Sequence, residues 1–262
     1  MRPYLRAARR RLRDRRFSSP LPHDPAASPL LLSPHLDDAV IDCFSVLTGG
    51  EPVQVVNVFA GIPERGVIPS WDRICGATDL AEHVRERIAE DREALATLGL
   101  EPVDLPFLGE NYRAGGPRPG LQDVADALAR SVPAASRVLA PAMVGEPIAD
   151  HVFARTLGLA LGIPVTLYAD VPYAVQFGWP HWVTGDERNP RVDVDVFWER
   201  FLAQIPGLGQ PRVVALSPDE AARKLETMRL YRTQFPGLDA LGTLSNPRVH
   251  GFEVYWDLRS PA

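Results

Sequence analysis

The chain has 262 residues, 45% of them hydrophobic and 23% charged, with a formal charge of −5. Such proportions belong to a soluble globular protein with a sizeable core, and the net charge gives no reason to expect a nucleic-acid partner. No stretch of about 18 or more apolar residues is present to span a membrane, and two cysteines, Cys43 and Cys75, make no disulfide framework.

Residues 1–16 hold eight arginines and one acidic residue, Asp14, so the remainder of the chain is strongly acidic. This start lacks the apolar run of a secretory signal, and a cytoplasmic protein is expected. The arm, with Leu5, Leu12 and Phe17 among its arginines, reads as a frayed or surface-packed terminal helix rather than a membrane anchor. Residues 18–29, rich in Pro, Ser and Ala, read as a linker in which His23 is solvated. A single domain is expected to occupy residues 30–262.

Leu30–Ser33 has the length and composition of a buried strand. A helical pattern follows from Asp38 to Leu47 and stops at Gly49-Gly50. Val53–Ala60 is a nearly continuous β-branched run, typical of a strand buried on both faces. Residues 61–77 form an irregular loop long enough to cover a site. Thr78 is placed to cap a helix whose apolar residues run from Leu80 to Leu98, with Gly99 as its stop. Val103–Leu108 reads as a strand with a polar tip at Gly109–Arg113. Helices at Leu121–Ala129 and Asp150–Leu161 alternate with strands at Arg137–Ala140 and Pro164–Ala169. Beyond residue 176 the pattern loosens, leaving a helix at Ala221–Arg232 and a strand at Val254–Leu258. The alternation predicts an α/β protein with a mainly parallel sheet and helices on both faces.

Polar groups fall where such a fold gathers them. His35/Asp37/Asp38, Asn111/Tyr112/Arg113, Glu146/Asp150/His151 and Asp170/Tyr173 each follow a predicted strand, and in a parallel sheet those segments converge on one edge. In Ser33-Pro34-His35-Leu36-Asp37-Asp38, one imidazole and two carboxylates stand within four residues, a donor set suited to zinc. Two ligands do not close a site, and His151 is the best candidate for the third. The plainer alternative is that Asp37 or Asp38 merely caps the following helix. Other polar residues carry double readings. Arg87 is either a site residue or part of a charge-laced helix paired with Glu90. Asp170 is a site residue or a turn residue before Pro172. His181 belongs to the substrate pocket or to aromatic packing, His83 is solvated, and His250 has no assigned role. Trp71, Trp179, Trp182 and Tyr173 suggest aromatic pocket walls.

Ser33-Pro34-His35-Leu36-Asp37-Asp38-Ala39-Val40 closely resembles the signature of the LmbE-like, or PIG-L, deacetylases, zinc-dependent enzymes that remove N-acyl groups, often from amino sugars. The resemblance extends through Arg87-Ile88-Ala89-Glu90-Asp91-Arg92, Ala149-Asp150-His151 and Tyr168–Ala174, with a weaker echo in Arg229–Phe235. It implies a Rossmann-like three-layer sandwich and one Zn2+ held by His35, Asp38 and His151. It also implies Asp37 as general base and Arg87 as a substrate or supporting residue. Beyond what the resemblance implies, Asp150, adjacent to His151, is read as a catalytic or supporting carboxylate, and Tyr112, Asp170 and His181 as substrate-side residues. The expected reaction is hydrolysis of a linear amide in a small N-acylated, polar or glycosylated metabolite. Zinc lowers the pKa of a water nucleophile to roughly 7. This chain departs from the commoner motif at Leu36 and Ala39. It also has Ile148 where many members carry a general-acid histidine, so leaving-group protonation falls to Asp37 acting twice, or to Glu146 or His181. The competing readings are a metal-retaining protein that has lost catalysis and a sugar-nucleotide-binding domain. No Gly-x-Gly-x-x-Gly follows the first strand to support dinucleotide binding.

Overall fold

The computed structural model describes residues 17–64, 66–113, 115–145, 148–187 and 191–258; the expectations for the Arg-rich arm and for Glu146 lie outside them. The strands are β1 (Leu30–Ser33), β2 (Gln54–Asn57), β3 (Val103–Asp104), β4 (Val138–Pro141), β5 (Val165–Tyr168), β6 (Leu208–Ala215) and β7 (Phe252–Leu258). Between them lie helices α1 (Asp38–Thr48), α2 (Ser70–Ile74), α3 (Leu80–Ala96), α4 (Leu121–Ser131), α5 (Ala149–Ala160), α6 (His181–Thr184), α7 (Val194–Leu202), α8 (Pro218–Met228), α9 (Phe235–Leu238) and α10 (Pro247–His250). No helix among the described residues is long and apolar enough to cross a membrane.

One sheet of order β3-β2-β1-β4-β5-β7-β6 organises the fold. Its first five strands are parallel; β7 runs antiparallel to β5, and β6 antiparallel to β7. Central β1 pairs Leu31 with Val55 on one side and Leu139 on the other, and its three leucines are fully buried. That burial on both faces is why the strand reads as an unbroken apolar run. The chain leaves β1 for β2 and β3 and returns to β4 on the opposite side. The strand order therefore reverses between β1 and β4, opening a crevice at their carboxyl ends.

Several local expectations are corrected. Residues 18–29 are not a free linker: Leu21 is buried in the core, and Ala135 N donates to Pro22 O at 3.1 Å. Asp79 rather than Thr78 caps α3, accepting from Glu82 N at 2.8 Å. The expected strand beyond Asp104 is cut short; Pro106, which offers no N–H, makes only an isolated bridge with Phe59. Strand β6 was not anticipated, because Gly209 and Pro211 interrupt its pattern, an interruption that an edge strand tolerates. His83 is not solvated. It is 3% exposed, because the segment after α8 covers that face of α3 and Gln234 Nε2 lies 3.2 Å from His83 Nε2.

Two buried polar contacts tie the C-terminal part to the helices that carry the site. Helix α1 is kinked at Cys43 (φ −132°, ψ 28°), and the amides of Phe44 and Ser45 donate to the Glu253 carboxylate at 2.8 and 3.0 Å. Lys224 Nζ, also buried, donates to the same carboxylate at 2.7 Å. Glu253→Ala would orphan two amides and leave an unpaired buried ammonium, so a loss of about 3–5 kcal/mol in unfolding free energy is expected in denaturant titrations. The second contact is Asp91 on α3, which accepts from Tyr231 Oη at 2.8 Å and from Asn57 Nδ2 at 2.6 Å. Burial pushes its pKa up to about 7 although both hydrogen bonds pull it down. A carboxyl whose folded pKa is raised gives stability that is complete below its unfolded value, near 4, and lost as pH rises through 7. Wild type is therefore expected to lose stability relative to Asp91→Asn between about pH 4 and 7, with the difference levelling off above. Parallel denaturant titrations across that range check the sign.

Candidate active site

Ser33 ends β1, and its hydroxyl donates to His35 O at 2.6 Å while accepting from Ala39 N at 3.1 Å. The tight turn so formed presents His35, Asp37 and Asp38 at the carboxyl edge of the sheet. Asp37 occupies the N-cap position of α1 but makes no side-chain cap hydrogen bond, and Asp38 Oδ2 accepts from His35 N at 2.8 Å. Capping of α1 by either carboxylate, the plainer reading, is not what these side chains do.

His151 arrives from across the switch point, in the first turn of α5 after β4. Its Nδ1 lies 2.7 Å from Asp170 Oδ1, and Asp170 Oδ2 accepts from Met143 N at 2.5 Å. Nε2 of His151 lies 3.5 Å from Asp38 Oδ2, and His35 Nδ1 lies 3.4 Å from that same oxygen. One donor atom from each of His35, Asp38 and His151 falls within 4.8 Å of the others. His151 is 0% exposed, and its Nε2 has no hydrogen-bond partner among the described residues. A buried imidazole nitrogen without a partner, on a ring fixed through its other nitrogen by a carboxylate, is the arrangement of a metal ligand. The N, N, O donor set fits a divalent cation of the zinc type.

Electrostatics favour a cation at the same point. Burial alone would lower the pKa of His35, but hydrogen bonds to Asp150 (3.3 Å) and Asp38 outweigh it and hold it up to about 10. A proton on His35 and a divalent ion therefore compete for the same negative charge. For Asp38, burial pushes the carboxyl up, but the two imidazoles prevail and hold it well below the usual range. Asp37 moves the other way: burial and the Asp38 charge raise its pKa, against the pull of Arg87 at 3.9 Å. Two adjacent carboxylates are thus driven apart in proton affinity, a pattern that separates a ligand from an acid–base group.

Above this cluster lies a cavity of about 370 Å3 whose lining includes His35, Asp37, Arg87, Tyr112, Asp150 and Tyr173. Arg87 donates to Tyr112 Oη at 3.1 Å. Asp150 accepts from Glu110 N at 2.7 Å and contacts Arg113 at 3.3 Å, so it steadies His35 and the polar tip together. Tyr173 packs edge-on against His151, and burial with the nearby carboxylates pushes its phenol pKa up.

Two expected substrate contacts are placed elsewhere. Asp170 is 0% exposed with both oxygens engaged, so it orients His151 and does not face the cavity. His181 lines a separate depression with Trp179 and Asp195, and its Nδ1 pairs with the buried Asp195 carboxylate. Sequence reasoning missed Gln234, Gly237 and Leu238, which also line the cavity. The faint echo in Arg229–Phe235 was the available signal.

No protein-family model and no curated protein matches the chain. Among solved structures, it is similar to a triple mutant of a deacetylase of the teicoplanin biosynthetic pathway. The TM-score is 0.67 at 26% identity, covering 89% of this chain and 98% of that one. It is also similar to the deacetylase of that pathway in complex with teicoplanin, with a TM-score of 0.64 at 25% identity over 90% and 100% of the two chains. The A40926 pseudoaglycone deacetylase shares the fold, with a TM-score of 0.62 at 24% identity over 90% and 98%. The chain therefore has the fold of the LmbE-like, or PIG-L, deacetylases.

Proposed function

We propose that the chain is a zinc-dependent N-deacetylase, with residues 30–262 as its catalytic domain and an N-acylated, glycosylated metabolite as its substrate. The observation that carries this reading is the buried, unpartnered His151 Nε2 beside Asp38 and His35 at the floor of a cavity. The substrate class is supported by the similar deacetylase that binds teicoplanin. His35, Asp38 and His151 would hold the ion. When bound, zinc acidifies water and attracts the charge that develops on an amide carbonyl.

The chain's own residues do the rest. Asp37, with its proton affinity raised by burial and Asp38, takes the proton of the attacking water at its carboxylate and returns it to the departing amine nitrogen. Arg87, held by Tyr112, keeps that carboxylate oriented. Ile148 ends the approach to α5 with an apolar side chain, which is why both proton steps are assigned to Asp37. Tyr173, kept protonated by its surroundings, is a neutral donor at the cavity wall. The same Ile148 favours a second reading, a metal-retaining binding protein without turnover. An acetate-release assay over N-acetylated sugars and glycosylated natural products, with metal-loaded protein, separates the two.

Two sets of variants test the assignments. Asp37→Ala is expected to keep zinc at one equivalent by elemental analysis while turnover falls by about 10²-fold or more, the scale of losing a general base. His35→Ala should lose both metal and turnover. Full activity in Asp37→Ala would remove Asp37 from the mechanism. Asp170→Asn, which loosens His151, should weaken zinc binding by about 10–100-fold in chelator competition while the fold persists by circular dichroism.

A further inference from the structure

The outer wall of the cavity comes from two segments away from the strongest motifs: the loop carrying α2 and the stretch ending in α9. Trp71 on α2 lines the cavity beside Gln234, Gly237 and Leu238. Its indole N–H donates to Gln234 Oε1 at 2.8 Å. Gln234 is only 2% exposed and is held in turn by His83 at 3.2 Å. His83 faces Asp72, the neighbour of Trp71 on α2, at 3.8 Å. The clasp therefore closes on itself through three segments and fixes the plane of the indole. Gly237 lets α9 approach the ring: a Cβ there would lie 3.1 Å from Trp71 Cη2 and 3.2 Å from Cys75 Sγ.

The consequence is chemical. With its N–H spent inside the protein, Trp71 has no hydrogen-bond donor to offer a ligand; what it offers is a rigid, flat apolar face. Pro172 and Leu238 add apolar surface to the same cavity, while Asp37, Asp150 and Arg87 are among its charged groups. A cavity of about 370 Å3 sits toward the lower end of small-molecule sites, roughly 300–1,000 Å3, room for one ring with its acyl group.

Resting on the deacetylase reading above, we propose that Trp71 is a specificity-determining residue that selects substrates whose acylated nitrogen is borne by a ring-containing group, through stacking of that ring on the indole. The shared chemistry is a flat C–H or π face next to the amide, which a pyranose or an aromatic ring provides and an open chain does not.

The test compares three acetamides with zinc-loaded full-length protein: N-acetylglucosamine, N-acetylbenzylamine and N-acetylethanolamine. Wild type is expected to turn over at least one ring substrate with a KM at least about tenfold below that for N-acetylethanolamine. The responding ring identifies the source. Trp71→Ala should raise that KM about tenfold or more while leaving kcat and the N-acetylethanolamine kinetics within about twofold. Trp71→Phe, which keeps a ring, should retain most of the preference, and Gln234→Leu, which releases the indole, should lose part of it. Equal losses on ring and open-chain substrates, or an unchanged KM in Trp71→Ala, overturn the role of Trp71 and leave the deacetylase reading standing. No acetate release by wild type from any amide, including glycosylated natural products, overturns both.

Discussion

Negative charge crowded into one corner of the sheet is the constraint this structure is built to satisfy. Asp37, Asp38, Asp42, Asp150 and Asp170 are all buried there. An unpaired carboxylate taken out of water costs several kcal/mol or gives up its charge. Three of the five have named partners, Arg87 for Asp37, Arg113 for Asp150 and His151 for Asp170, while burial, Asp38 and Asp170 push the pKa of Asp42 up. Asp38 shares its two imidazoles, 3.4 and 3.5 Å from one oxygen, with Asp150 and Asp170. A cation placed among His35, Asp38 and His151 would add positive charge where two rings serve three carboxylates.

The topology explains why that corner exists. Reversal of strand order between β1 and β4 lets residues 35–38 and 151 meet although more than a hundred positions separate them in the chain. Once they meet, the neighbouring elements serve to hold their angles. Asp170, directly after β5, fixes His151; Asp42, one turn along α1, accepts from Val171 N at 2.8 Å and so anchors the segment that carries Asp170. The Lys224–Glu253 pair sustains the kinked half of α1 from β7. Each tie is short and buried, and each links a strand end to a helix that carries a candidate ligand.

How much of this was legible in the sequence depended on how local the cause was. Buried parallel strands announce themselves as apolar runs, and His35, Asp37 and Asp38 lie within one turn of each other, so both were readable. His151 was readable because its segment follows a strand. Asp170 was found as a residue but not as a function. Its double engagement with His151 and Met143 depends on a loop conformation that includes Met143 at φ 53°, which no pattern of residues encodes. His83 was misread because its helix carries charges on several sides, and only the tertiary cover supplied by Tyr231 and Gln234 makes the inward face.

The outer wall shows the same limit at larger scale. A loop of mixed composition and a four-residue helix meet across more than 150 positions, and the contact that joins them is one indole N–H on one amide oxygen. Loop length and the indole of Trp71 mark the first segment as pocket cover, but neither segment's sequence names the other as its partner. The floor of the site is set by charge, which restricts residue types tightly and leaves a motif. The wall is set by shape, which many residues satisfy and which leaves none. The charged floor is therefore readable from the first strand onward, whereas the wall takes shape only where two segments distant in the chain close on each other.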